Sequence, residues 1–195
     1  PPTRGDHPNA AGVFEVDAIG LIRLADTLNR AETVGGGKLE SGTDLAIGCA
    51  ANPTAKDLEQ EVSRLEEKVA AGAHFVQTQP IYDALLLEKW LAKIDGRVRI
   101  PILYGIMPLK NYEFALHLNQ NVPGILVPDR VVERMRTGGE GEGMRLTAEL
   151  LRIITPLIHG IHIFPMNSTE RVLGVLGALD ELGLPHGSVV AAREA

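Results

Sequence analysis

A single cysteine, Cys49, stands in the 195 residues, so no disulfide can form within the chain. It lies in an apolar run, where a thiol serves as a small buried hydrophobe. Tryptophan also occurs once, as Trp90, and reads as a packing residue. Positive charge is never clustered, and the formal net charge is −6, which gives no footprint for nucleic acid or an anionic membrane surface. No apolar run has the length of a membrane span and no signal peptide is visible, so the expected location is cytoplasmic. Metal-ligand spacing is missing as well. His159 and His162, three apart on an expected strand, would point to opposite faces. No Ser-His-acid set can be assembled, which removes support for nucleophilic or metal-assisted hydrolysis.

Apolar residues at 45% and charged ones at 23% are the balance of an ordinary globular domain with a sizeable core. The most informative stretch runs from Leu45 to Asp83. Residues 45–50 form an apolar run that ends at Ala51-Asn52-Pro53, a strand with a sharp stop. Thr54 with Asp57 three residues on is a helix-start signal. Leu58, Val62, Leu65 and Val69 then draw one apolar stripe, while Lys56, Glu59, Glu66 and Glu67 fall mostly elsewhere. Gly72 sits where a left-handed helix stop belongs. Residues 75–79 are a second strand, closed by Pro80. Strand, helix, strand in this order predicts a parallel pair with a right-handed crossover.

The flanks repeat the theme. Asp17 is a plausible N-cap for a helix to about Arg30, and Asp83 for one to about Ile94. Residues 101–106 and 160–164 are further strands, with helices expected at 110–119, 129–136, 144–157 and 170–182. Residues 1–11 and the tail to Ala195 read as loop or weakly specified chain, and the Arg4-Gly5-Asp6 triplet as accidental. Gly35-Gly36-Gly37-Lys38 resembles half a phosphate loop, but Leu39 follows the lysine and no strand precedes the glycines, so a flexible connection is expected. Residues 138–143 read as a mobile acidic loop. Asn167-Ser168-Thr169 matches a glycosylation sequon that a cytoplasmic location makes irrelevant. The expectation is an α/β domain with four parallel strands in sequential order and helices outside, half of a (β/α)8 barrel.

Ligands of such folds bind at the C-terminal ends of the strands. Asn52 and Gln79 stand there. Asn52 is equally well a turn former before proline. Gln79 carries a long amide between a buried strand and a proline, and needs partners.

Five ordered stretches carry a resemblance: GVFEVDAIGLIRL (12–24), IGCAANPTA (47–55), RLEEKVAAGAHFVQTQPIYD (64–83), PILYGIMPL (101–109) and VPGILVP (122–128). Together they resemble methylenetetrahydrofolate reductase, most of all the form fused behind a homocysteine methyltransferase. The resemblance implies FAD lying across the C-terminal face of a TIM barrel, reduced by NAD(P)H and reoxidised by 5,10-methylenetetrahydrofolate, in one-carbon and methionine metabolism. It implies that Gln79 meets the folate pterin, and that Asn52, Ala55, Arg64 and Lys68 lie along the flavin. Glu67 stands where other members carry an arginine, a charge Arg64 could replace from one turn away. The family's folate-contacting arginine has no match at Ser168, and Arg171 is the nearest substitute.

The resemblance also places Pro1-Pro2 at the end of the family's Thr-Gly-Asp-Pro-Pro motif. Residues 1–195 would then be a single partial domain holding strands five to eight. The flavin-side aspartate and the general-acid glutamate would lie upstream, leaving no catalytic residue in this chain. Homo-oligomers are the implied assembly. The open alternative is a non-catalytic half-barrel that binds a folate, a flavin or a partner protein without turnover.

Overall fold

The computed structural model describes residues 15–184. The expectations for residues 1–11, with Arg4-Gly5-Asp6 and Pro1-Pro2, and for the tail beyond Leu184, lie outside the described residues.

Four strands, β1 (Gly48–Ala51), β2 (Phe75–Pro80), β3 (Ile102–Ile106) and β4 (Ile161–Ile163), form one sheet in sequential order. Every neighbouring pair is parallel. Helices α1 (Ala18–Asn29), α2 (Leu58–Ala70), α3 (Ala84–Ile94), α4 (Tyr112–Asn121), α5 (Asp129–Thr137), α6 (Glu142–Ile154) and α7 (Thr169–Glu181) flank it, with a 3-10 turn at Thr155–Leu157. This is the order and arrangement of half a (β/α)8 barrel.

The α2 stripe does what its spacing dictates. Val62 and Leu65 are fully buried, packed with Val76 of β2 and with Leu87 and Trp90 of α3. Burying each such side chain contributes about 1.5–3 kcal/mol. Outside that core, Arg97 donates to Glu59 and Glu66 of α2, tying the end of α3 to its neighbour. The β3–β4 crossover carries α4, α5 and α6, and its excursion closes a second small core around Leu109, Leu118, Val127 and Met135.

Tyr104 and Ile106 of β3, and Ile161 and Ile163 of β4, pack on the helix side of the sheet. Gly105 and His162 alternate to the other side, the inner face of a closed barrel. Helices thus cover one face only.

Four expectations shift. The first strand begins at Gly48 rather than residue 45. Asn29 of α1 bonds both backbone groups of Leu45 and the Thr43 hydroxyl, so side-chain bonds replace a ladder there. The cap of α2 is Asp57, accepting from the Gln60 amide, while Thr54 turns back to Asn52. Ala55 therefore precedes α2 instead of opening it, and its N–H is spent on the Asn52 carbonyl. Finally, residues 138–143 are not a loose acidic loop. Glu142 and Gly143 open α6, and Glu142 is buried between arginines. A Cβ on Gly143 would lie 1.9 Å from the Leu109 carbonyl oxygen, so only glycine permits that approach.

Candidate functional site at the C-terminal edge of the sheet

The β2–β3 ladder is broken at one place. Gln77 pairs with Leu103 and Pro80 with Gly105, so Thr78 and Gln79 together face Tyr104. An extra residue in one strand is a β-bulge, which re-aims side chains and frees backbone groups. Those groups are accounted for. The Gly105 N–H donates to Thr78 Oγ1 at 2.9 Å. Thr78 Oγ1 donates to the Gln79 carbonyl at 2.9 Å. His162 Nε2 lies 2.9 Å from the Thr78 carbonyl oxygen. Thr78 is 2% exposed and its bond to the Gly105 N–H is buried, while the bonds to the Gln79 carbonyl and to His162 are partly buried.

Gln79 is half-buried at the end of this arrangement. Its side-chain amide has no hydrogen-bond partner among the described residues, so the reading in which it merely ties down backbone at a strand end is not what is seen. Asn52, by contrast, is engaged. Its Oδ1 accepts from the Thr54 amide at 3.0 Å and the Thr54 hydroxyl at 2.9 Å, an Asx turn after β1.

The two cations of α2 differ. Arg64 is exposed and makes no ion pair among the described residues. Lys68 Nζ donates to the Ala50 carbonyl at 2.7 Å. The Ile47 carbonyl points to the β2 side, where it accepts from His74 and Phe75, so alternation turns the Ala50 carbonyl to the outer edge of β1. Lys68 covers that open edge. The α2 N-terminus is flanked by Asp57, Glu59 and Glu61, which oppose an anion there. Burial pushes the Cys49 thiol up, against a smaller opposing pull from Lys68, which disfavours the thiolate.

On the same edge, Tyr82 donates its hydroxyl to the Met107 carbonyl at 3.0 Å. After β4, Met166 and Asn167 both adopt positive φ, 47° and 56°. Two consecutive non-glycine residues in that region store strain, a feature of ligand-binding turns. Arg171 Nη1 donates to the Met166 carbonyl at 3.3 Å, which puts this cation at the edge where Gln79 also lies. The edge thus gathers Gln79, Tyr82, His162 and Arg171. Of these, sequence reasoning named Gln79 and Arg171. Thr78 and His162 were missed because a bulge leaves no mark in apolar periodicity. The available signal was a histidine between Ile161 and Ile163, a polar residue on the face away from the helices.

A parallel half-barrel sheet with polar side chains at its C-terminal edge defines a barrel-type α/β protein, an architecture whose ligand sites lie at that edge. The sequence comparisons name the family. The model of "Methylenetetrahydrofolate reductase" matches residues 3–180, and the chain belongs to that family. Methylenetetrahydrofolate reductase 1 of Schizosaccharomyces pombe is 28% identical over 71% of this chain and 25% of its own length. Methylenetetrahydrofolate reductase (NADH) 1 of Arabidopsis thaliana is 28% identical over 91% of this chain and 33% of its own length. The chain therefore spans a quarter to a third of the length of these curated relatives. A solved structure of a Clostridium thermocellum protein, described as binding two copies of 5-methyl-5,6,7,8-tetrahydrofolic acid, shares the fold with a TM-score of 0.51 and 16% identity, over 71% of this chain and 54% of that one. No helix among the described residues is long and apolar enough to cross a membrane.

Proposed function

We propose that this chain is the folate-facing half of a flavin-dependent reductase that converts 5,10-methylenetetrahydrofolate to 5-methyltetrahydrofolate in the cytoplasm, with NADH or NADPH as reductant. The activity is that of a longer protein, in which residues 1–195 form one partial domain carrying strands five to eight. The observation that carries the reading is Gln79: a half-buried amide at the C-terminal edge, aimed by a bulge and without a hydrogen-bond partner among the described residues. An amide both donates and accepts, which suits the polar edge of a pterin. Ring opening of the folate needs a proton donor, and this chain offers binding groups rather than that acid.

The residues present fit a flavin dinucleotide in part. Arg64, exposed and without an ion pair among the described residues, and Lys68, one turn away on the same face, are suited to its phosphate or ribityl groups. The acidic α2 N-terminus is not, and Asn52 and Ala55 contribute turn backbone. When bound, the flavin supplies the hydride chemistry, while the protein orients and shields it.

In the full-length protein, Gln79→Ala should weaken folate binding by about tenfold to a hundredfold, the cost of leaving ligand polar groups unpaired. Flavin content should equal the parent's. Stopped-flow reoxidation by methylenetetrahydrofolate reads the loss directly. Reoxidation at the parent rate, at equal subsaturating folate, would sink the assignment of Gln79.

A further inference from the structure

We propose that His162 is a positioning residue for Gln79: by donating Nε2–H to the Thr78 carbonyl it holds the β2 bulge in the form that presents the Gln79 amide. The proposal rests on the reading in which Gln79 meets the folate.

A bulge removes ladder partners from the peptides it contains, and buried backbone groups must find others. Here the Thr78 carbonyl finds one two strands away. His162 belongs to β4, pairs with Gly105 of β3, and reaches across it to β2 at 2.9 Å. The span exists because Gly105 has no side chain. A Cβ there would lie 2.7 Å from the Thr78 carbonyl oxygen and 2.9 Å from Phe164 Cε2, in the path of the imidazole. Phe164 packs tilted on the His162 ring, with centroids 4.7 Å apart, and limits its rotation. A carbonyl oxygen only accepts, so Nε2 carries the hydrogen in this contact.

The bond matters to Gln79 because the Thr78 carbonyl belongs to the Thr78–Gln79 peptide. Thr78 Oγ1 meets the same short segment from the other side, taking the Gly105 N–H and giving its hydrogen to the Gln79 carbonyl. With both ends of the segment tied, the amide at position 79 is preorganised, which lowers the ordering cost of binding. Without His162, the Thr78 carbonyl must seek water or fall back toward the ladder, and either outcome rotates the peptide that carries Gln79.

The test uses the full-length protein, with calorimetric titration of 5-methyltetrahydrofolate alongside steady-state kinetics. His162→Leu should weaken folate binding by about threefold to tenfold, the worth of one net hydrogen bond, and raise KM for the folate more than it lowers kcat. His162→Gln, whose amide nitrogen reaches about as far as Nε2, should restore affinity, whereas the shorter His162→Asn should not. In a Gln79→Ala background, His162→Leu should cost nothing further, because the residue acts through Gln79. Equal affinities for the Gln and Asn variants overturn the proposal, even if the Leu variant fails to fold. Additive losses in the double variant also overturn it, by showing that His162 acts elsewhere. If Gln79→Ala weakens binding while His162→Leu does not, the positioning role fails and the folate reading stands. If Gln79→Ala itself changes nothing, both fail.

Discussion

Two polar clusters of this molecule are built from similar materials and come to opposite ends. At the α5–α6 corner, Glu142 accepts from Arg134 and Arg145, Arg134 reaches on to Glu149, and Arg145 also bonds the Gly138 carbonyl. The Glu142 side chain is 7% exposed, and both of its oxygens are used inside the corner. At the β2 bulge, the Thr78 hydroxyl and carbonyl, the Gly105 N–H and His162 Nε2 are all engaged, but the Gln79 amide has no partner among the described residues. A closed network fixes a fold. A network that supports an unpaired, half-buried group keeps that group available for something outside the chain, because an unmet polar group is costly until it finds a partner. On the proposed reading, the comparison sets structural polarity at the corner against binding polarity at the bulge.

The strongest way to break it is through Gly105. An added Cβ meets the Thr78 carbonyl oxygen at 2.7 Å and the Gln79 carbonyl carbon at 3.0 Å, both backbone atoms that cannot swing aside. Gly105→Ala should cost about 2–3 kcal/mol of stability, typical of overpacking in a buried site. It should also weaken folate binding in the full-length protein. Denaturant midpoints and folate titration check the two effects. A variant of parent stability and affinity would show that the bulge tolerates displacement and does not aim Gln79.

Glu142→Gln is the matching break at the closed corner. It should cost about 1–2 kcal/mol, limited because both arginines are half-exposed and can take up water. It should leave folate affinity alone. Arg145 first, and then Arg134, hold the Glu142 carboxyl below the ordinary carboxylate range, against the opposing effect of burial. A lowered folded-state pKa contributes stability above the unfolded value, about 4.3 for a glutamate, and that stability is lost as pH falls through the folded value. The glutamine variant should therefore match the parent's stability more closely in acid than at neutral pH. An unchanged gap between the two melting curves from neutral to acid pH would contradict this origin.

The legible part of the molecule followed from periodicity and caps. Asp17, Asp83, the α2 stripe and the order and parallel pairing of the four strands emerged as expected, with the start of β1 shifted, since apolar spacing and short polar caps are local properties. Gln79, whose binding role is the proposal, stood out because a long amide between a buried strand and a proline is an anomaly within one short stretch. The corner and the bulge were not legible, for a shared reason. Glycines and glutamates in residues 138–143 look like a solvated loop until Arg134, on a different helix, claims Glu142. Thr78 looks like an ordinary strand residue until His162 arrives from β4, 84 positions along the chain. Local pattern carries no information about partners that distant. Asn52 shows the limit in the other direction: its position suggested a ligand, but its own two-residue neighbourhood had already claimed its oxygen as a turn.

Lys68 stands between the two clusters, and the smallest prediction concerns it. Its ammonium is paired, which by the comparison would make it structural. Its partner, however, is the Ala50 carbonyl on the outer edge of β1, a group that a further parallel strand would claim in a closed barrel. The bond would then be a property of the open edge, and on the proposed flavin reading closing the barrel would release the lysine toward the cofactor with Arg64. Lys68→Met keeps the aliphatic stem and removes only the charge and the donor. In the chain expressed by itself, this change should lower stability by about 0.5–1 kcal/mol, the net worth of one hydrogen bond at an accessible site. In the full-length protein it should leave the melting temperature of the flavin-free form unchanged and instead lower the flavin retained through gel filtration, read as the ratio of flavin to protein absorbance. Full flavin retention there would remove Lys68 from the cofactor site. An equal loss of stability in both forms would show that the Ala50 bond persists in the closed barrel and would return Lys68 to the structural side of the comparison.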